Sequence, residues 1–166
     1  MLTTDIIKQH LVLDHDEDDQ LIKAYWDAAI DYCEGLIAGP IILGQRTENF
    51  SALASPLVLG PRVSSVESVT YTDIDGEQQT LDPLLYAIRY TAAGWRIEAA
   101  GTWPVGTNAT VTYTAGYGNV PSAVDHAILM TIAHLYANRE STTPVKLDEV
   151  PLAVRSLLMP HARVFL

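Results

Sequence analysis

Apolar residues first fall into a helical rhythm near the N-terminus. Between about residues 17 and 38, Leu21, Ile22, Tyr25, Trp26, Ala29, Tyr32, Cys33 and Leu36 recur at three- and four-residue spacing, which predicts a helix with one buried face. Gly39-Pro40 ends it. A shorter helix is expected before it over about 3–11, with Thr3 or Thr4 as cap and Asp5 near the positive end of the helix dipole.

From about 56 to 116 the period changes to two. "VESVTYTD", "LYAIRY", "GWRIEA" and "ATVTYTAG" alternate β-branched or aromatic residues with polar ones, and Asp75-Gly76 and Ala93-Gly94 supply turns. The helical period then returns over about 122–139, where Ser122 is expected to cap and Asp125 to complete a box-like start. Because "AVDHAILMTIAHLYANRE" is apolar almost all round, this helix should be covered on most sides by its own domain or by another subunit. A last helix is expected over about 151–159, opened by Pro151 and stopped by Pro160, followed by an apolar tail, 160–166. The predicted fold is α+β but mainly α-helical: a small bundle of about four helices, with an antiparallel β insertion between the second and third long ones, forming a single domain over 1–166.

Composition narrows the function classes. The chain has 166 residues, 48% hydrophobic and 18% charged, apolar enough for a folded core with surface left for a partner. No apolar run reaches the roughly 18 residues that would span a bilayer, and "MLTTDIIKQHL" lacks a signal-peptide pattern. A cytoplasmic, non-membrane protein is expected. The net charge of -10, with basic residues scattered singly, disfavours attraction to a phosphate backbone. Cys33, the one cysteine, excludes an internal disulfide.

The densest candidate chemistry is "DHDEDD", Asp14 to Asp19, five acids and a histidine in six residues. Asp14, Asp16 and Asp18 match the first three ligands of a calcium loop, but the sixth and twelfth positions hold Asp19 and Tyr25 instead of Gly and Glu. The favoured reading is a charged helix start, its carboxylates serving free N–H groups, with more charge than capping requires. Lys23, Asp27, Asp31 and Glu34 form a stripe opposite the apolar face, read first as a solvated face. His126 and His134 are separated by about 12 Å of helical rise, too far to share a metal. Ser122, Asp125 and His126 lie in one helical turn without a nucleophile elbow. Neither a phosphate loop nor a dinucleotide fingerprint occurs, and Cys33 belongs to an apolar stripe. Tyr71, Tyr86, Tyr90, Trp95, Trp103 and Tyr113 alternate as a sheet face, with no interleaved basic residues for nucleic acid. No catalytic, cofactor-binding or metal residues are assigned.

"VTYTAGYGNVPSAVDHAILMTIAHLYANRE" resembles a hallmark of the head-tail connector, or head-completion adaptor, proteins of long-tailed bacteriophages: a strand, a Gly-Tyr turn, Val-Pro, then an apolar helix ending Tyr-x-Asn-Arg-Glu. "LTTDIIKQHLVLDHDEDDQLIKAYWDAAIDYCEGLIAG" is similar to the family's opening helix pair, and "PLAVRSLLMPHARVF" to its closing helix. The resemblance implies a structural virion protein with no catalysed reaction. It implies a ring, usually of twelve copies, under the portal protein, meeting a neck, stopper or tail-completion protein, with DNA only passing through. Assembly would occur in the host cytoplasm and the final location would be the head-tail neck of the virion.

By the same resemblance, Asn138, Arg139 and Glu140 are expected at a subunit contact or holding the loop after the helix. Leu157, Leu158, Met159, Val164, Phe165 and Leu166 are expected to face the portal. Asp27, Asp31 and Glu34 become a candidate DNA-repelling channel stripe. Two other classes stay open on the residues alone: a metal-dependent enzyme using the Asp14–Asp19 cluster, and a monomeric binding module built on the β insertion.

Overall fold

The computed structural model describes residues 2–91, 94–138 and 152–162. The chain divides into two compact units, a helical one from Met1–Ile41 and Asn119–Leu166, and a β unit, Ile42–Gly118.

The helical unit contains α1 (Thr4–Leu11), α2 (Asp19–Ile37), α3 (Ser122–Ala137) and α4 (Leu152–Leu158), followed by a 3-10 turn, Met159–His161. Thr3 caps α1 through its side chain, which accepts from the Ile6 N–H at 3.4 Å. Ser122 does not cap α3: the N-cap position is Pro121, whose fixed φ suits a helix entry, and Ser122 is already helical. Ile7 of α1, Ile22, Ala29, Cys33 and Ile37 of α2, Val124, Ala127, Ile128 and Ile132 of α3, and Val154 and Leu158 of α4 are buried. Among the described residues Thr131 is the buried polar one here, and its hydroxyl is paired, donating to the Ala127 carbonyl at 2.8 Å. The all-round apolar pattern of α3 is only partly used, since Leu129, Met130, Leu135 and Tyr136 remain half-buried.

The β unit corrects the expected fold class. Among the described residues strand is about as extensive as helix, so the protein is α+β without being a mainly helical bundle. Its strands are β1 (Gly44–Ala52), β2 (Leu57–Val58), β3 (Val63–Thr72), β4 (Gln78–Thr80), β5 (Tyr86–Thr91), β6 (Gly94–Ala99) and β7 (Thr107–Ala115). They form a four-stranded sheet, β1-β7-β3-β4, and a three-stranded one, β2-β6-β5, with every strand pairing antiparallel. Residues of both sheets meet in one core: Val69, Val111 and Tyr113 from the larger, Leu57 and Ile97 from the smaller. A region read as an insertion is a unit with its own core.

β1 begins well before the expected start near 56 because its sequence, GQRTENFSA, shows no apolar alternation. It is an edge strand, one outer face of which carries Gln45, Thr47, Asn49 and Ser51, all exposed. Only its pairing with β7, from Gly44↔Ala115 to Ala52↔Thr107, makes it a strand. In β3 three register shifts keep Val63, Val66, Val69 and Tyr71 facing the core despite uneven spacing. Phe50, Tyr86, Trp95 and Trp103 pack against this core, with Trp103 Nε1 donating to the Leu85 carbonyl at 2.8 Å.

One carboxylate ties distant parts of the unit together. Glu48 on β1 accepts from the Tyr113 hydroxyl at 2.6 Å and from the Gly60 N–H at 3.0 Å through the same oxygen. Burial, and then the hydrogen bond the Tyr113 hydroxyl donates to Glu48, push the Tyr113 phenol above its ordinary value. The Gly-Tyr turn after β7 is equally constrained. Gly116 has φ +125, and an added Cβ would stand 2.5 Å from the Ile42 carbonyl oxygen. Its N–H donates to the Arg62 carbonyl at 3.0 Å, and the Arg62 guanidinium lies 4.6 Å from the centre of the Tyr117 ring.

Gly116→Ala should therefore lower stability by about 3 kcal/mol, combining backbone strain with a clash against backbone that cannot swing away. Urea unfolding monitored by tryptophan fluorescence would measure it.

Candidate functional site

The acidic run is built into the helical unit by a residue the sequence pattern did not single out. Lys8, the one Lys or Arg among the first 22 residues, sits on α1 with its side chain 12% exposed, and its ammonium pairs with Asp16 and, at 3.0 Å, with Asp19. Val12 turns the chain after α1 in the left-handed region, φ 58, returning Asp16 and Asp19 to Lys8. The N-cap of α2, Asp18, makes no side-chain cap bond. Its carboxylate accepts from the Tyr136 hydroxyl at the end of α3, 2.6 Å away, and the Tyr136 ring meets that of Tyr25 edge-on at 6.5 Å. The carboxylates thus clamp three helices together instead of serving the free N–H groups of one.

This geometry disposes of the calcium-loop arrangement, because of its three candidate ligands Asp16 faces the Lys8 ammonium and Asp18 accepts the Tyr136 hydroxyl. Among the described residues no group of three or more His, Cys, Asp and Glu side chains converges as a metal site. His10 and His126 meet edge-on at 6.3 Å, joining α1 to α3. Cys33 is fully buried, 4.0 Å from the Thr131 hydroxyl, and burial pushes its thiol up, away from the reactive thiolate. No helix among the described residues is long and apolar enough to cross a membrane.

The expected stripe on α2 divides. Asp27 and Asp31 are exposed, whereas Glu34 is half-buried and accepts from the Ile41 N–H at 2.7 Å, holding the chain as it leaves the helix. Negative charge is concentrated in this unit: 13 acids against 6 Lys and Arg leave it at -7, while 7 against 4 leave the β unit at -3.

Of the expected contact residues, Asn138 is exposed and closes its own helix, its amide donating to the His134 carbonyl at 2.8 Å. Leu158 is buried in the helical unit's own core, Leu157 is half-buried, and Met159 is 76% exposed. Arg139, Glu140, Val164, Phe165 and Leu166 lie outside the described residues.

The helical unit is thus a bundle clamped by its own acidic turn and joined in sequence to a two-sheet unit. The family model described as "Head completion protein" matches residues 1–164. The chain belongs to the head completion protein family. Its function is the structural one of a head-tail connector. Solved structures share the fold. A chain in the virion of a native gene transfer agent particle superposes with a TM-score of 0.82 at 22% identity, covering 99% of this chain and 91% of that one. A chain in the neck of an empty gene transfer agent particle, computed with C6 symmetry, gives 0.81 at 21%, with the same coverage. A third, in the neck of the native particle computed with C12 symmetry, gives 0.69 at 23%, covering 88% and 84%. No curated protein matches the chain.

The Lys8 clamp has a pH signature. Hydrogen bonding to Lys8 holds the Asp16 carboxyl below its ordinary 3.8, and the same partners raise Lys8 above 10.5. A depressed carboxyl contributes stability above its unfolded value and loses it as pH falls through the folded value; a raised lysine loses its contribution as pH climbs through its own. Lys8→Met should flatten the acid limb of the stability profile between the ordinary and the depressed carboxyl values. The acid dependence due to Asp73 should persist, because its carboxyl is held down separately, first by the Glu77 N–H. Urea midpoints across that pH range would show both.

Proposed function

We propose that this head completion protein acts as a ring of identical subunits in the neck of a phage-like particle, docked under the portal and presenting a surface to the next neck or tail-completion protein. The ring is a dodecamer in the particle, and the chain catalyses no reaction. The observation carrying this reading is the family match over 1–164, which spans both units. The C12 and C6 symmetries of the neck structures that share the fold support a ring. The whole chain, 1–166, acts as one connector domain.

Within this reading Met159 and Leu157 are the described part of the portal-facing end, continued by Val164, Phe165 and Leu166. Leu158 contributes by anchoring α4 in its own core. Asn138 ends α3 and leads into Arg139 and Glu140, which serve the contact between subunits. Asp27 and Asp31 are the exposed part of the stripe that faces the channel, where like charge keeps passing DNA from adhering. Glu34, committed to the Ile41 N–H, belongs to the helix end.

Particles assembled without this protein should contain packaged heads that fail to join tails, visible by negative-stain microscopy. Normal tailed particles would overturn the connector reading. Asp27→Lys with Asp31→Lys should slow DNA release in a salt-dependent manner, and unchanged release kinetics from triggered particles would remove these residues from the channel.

A further inference from the structure

Four strands form the edges of the two sheets: β1 and β4 in the larger, β2 and β5 in the smaller. β2 has two residues and β4 three, too short to template another strand, which leaves the nine of β1 and the six of β5. Proteins guard long edges with lysine, proline, bulges or short length, because unpaired N–H and C=O groups recruit any passing strand. β5, YAIRYT, has no lysine or proline, and its pairing with β6 runs unbroken from Tyr86↔Ala99 to Thr91↔Gly94. Its one charge, Arg89, is turned toward Glu98 on β6 at 3.0 Å.

The Ala100 N–H donates to the Leu85 carbonyl at 2.9 Å, which sets the alternation along the pair. Residues 85, 87, 89 and 91 bond toward β6, and the main-chain groups of Tyr86, Ile88 and Tyr90 point outward. The side chains of those same three residues share the face of Ile97, which is fully buried in the core. Yet Ile88 is 40% and Tyr90 72% exposed. Among the described residues the inner layer of the smaller sheet therefore runs past the rim of the core, with its hydrogen-bonding edge and its apolar face left open at the same residues. One added strand would complete both.

We infer that the edge of β5 is an assembly site that takes β1 of a second copy, extending the three-stranded sheet from one subunit to the next. β1 is the other long edge and lies in the other sheet, so the contact is head-to-tail. Such a contact propagates around a ring, whereas β5 pairing with β5 stops at a dimer. The lengths agree: nine residues span about 30 Å and cover the roughly 20 Å of β5 in full. Arg46, Glu48 and Phe50 share the core-side face of β1, opposite Tyr113, Val111 and Ala109. Aligned face to face and antiparallel, the strand of the second copy would lay Phe50 opposite the Ile88 overhang, which brings Glu48 opposite Tyr90.

This inference rests on the ring reading, and one experiment separates the two. Particles are produced with p-benzoylphenylalanine in place of Tyr90, purified and irradiated, and crosslinked peptides are identified by mass spectrometry. The expected product joins position 90 to residues 44–52 of a second copy. A crosslink to β5 of a second copy, a crosslink to a different neck protein, or no crosslink from protein that is present in the particles would overturn the inference and leave the ring reading standing. Absence of the unmodified chain from purified particles would instead defeat the ring reading. As a second variant, Ile88→Lys should keep the wild-type unfolding midpoint and lose incorporation into particles. Full incorporation of that variant would also overturn the inference.

Discussion

Along β7 the side chains of Ala109, Val111, Tyr113 and Ala115 are buried in strict alternation, and the larger sheet is registered on this strand from both sides. β1 has no apolar pattern of its own and β3 has an irregular one, so each becomes a well-placed strand through its pairing with β7. A one-residue slip would turn the buried set outward, which is why the alternation resists slippage. The Glu48 bond to Tyr113 pins the same register with a side chain, and Gly116 fixes where the strand ends. Beyond that turn the chain enters α3 of the helical unit.

The helical unit depends on charge in a different way. Its core is made of ordinary aliphatic packing, but the turn from α1 to α2 is held by one ammonium between two carboxylates, and a third carboxylate receives the Tyr136 hydroxyl. The carboxylates of exposed pairs contribute modestly and are screened by salt. Their value here lies in position, because they join the start of α2 to α1 and to the end of α3. Acids that looked like surplus charge are in part structural, and the surplus that remains is concentrated on exposed residues such as Asp27 and Asp31.

For a connector, the division of labour between the units is informative. Cys33 is sealed in the core of the helical unit, and His10 and His126 pack ring against ring. What stays open is surface suited to assembly: the half-buried apolar flank of α3, Met159 beyond α4, and the unguarded edge of β5.

Local signals determined the helices: caps and prolines bound the two short ones, and a buried helical face repeats within a few residues, so the pattern around Ile22, Ala29 and Cys33 reads as α2 without reference to any other segment. Periodicity equally exposed the alternating strands, and the motif from the Gly-Tyr turn through the apolar helix pointed to the family. Tertiary structure decided the rest. β1 is polar at nearly every position and exists by virtue of β7, more than 50 residues away. Glu48 meets Tyr113 across 65 positions and Tyr136 meets Asp18 across 118, separations at which no local pattern can announce a partner. Lys8 was invisible for the same reason, since a lone lysine on a short helix gains meaning only when the next turn brings Asp16 and Asp19 back to it. The balance of helix and sheet also lay beyond local reading: whether alternating strands form an appendage or a unit with its own core depends on two sheets closing over shared residues.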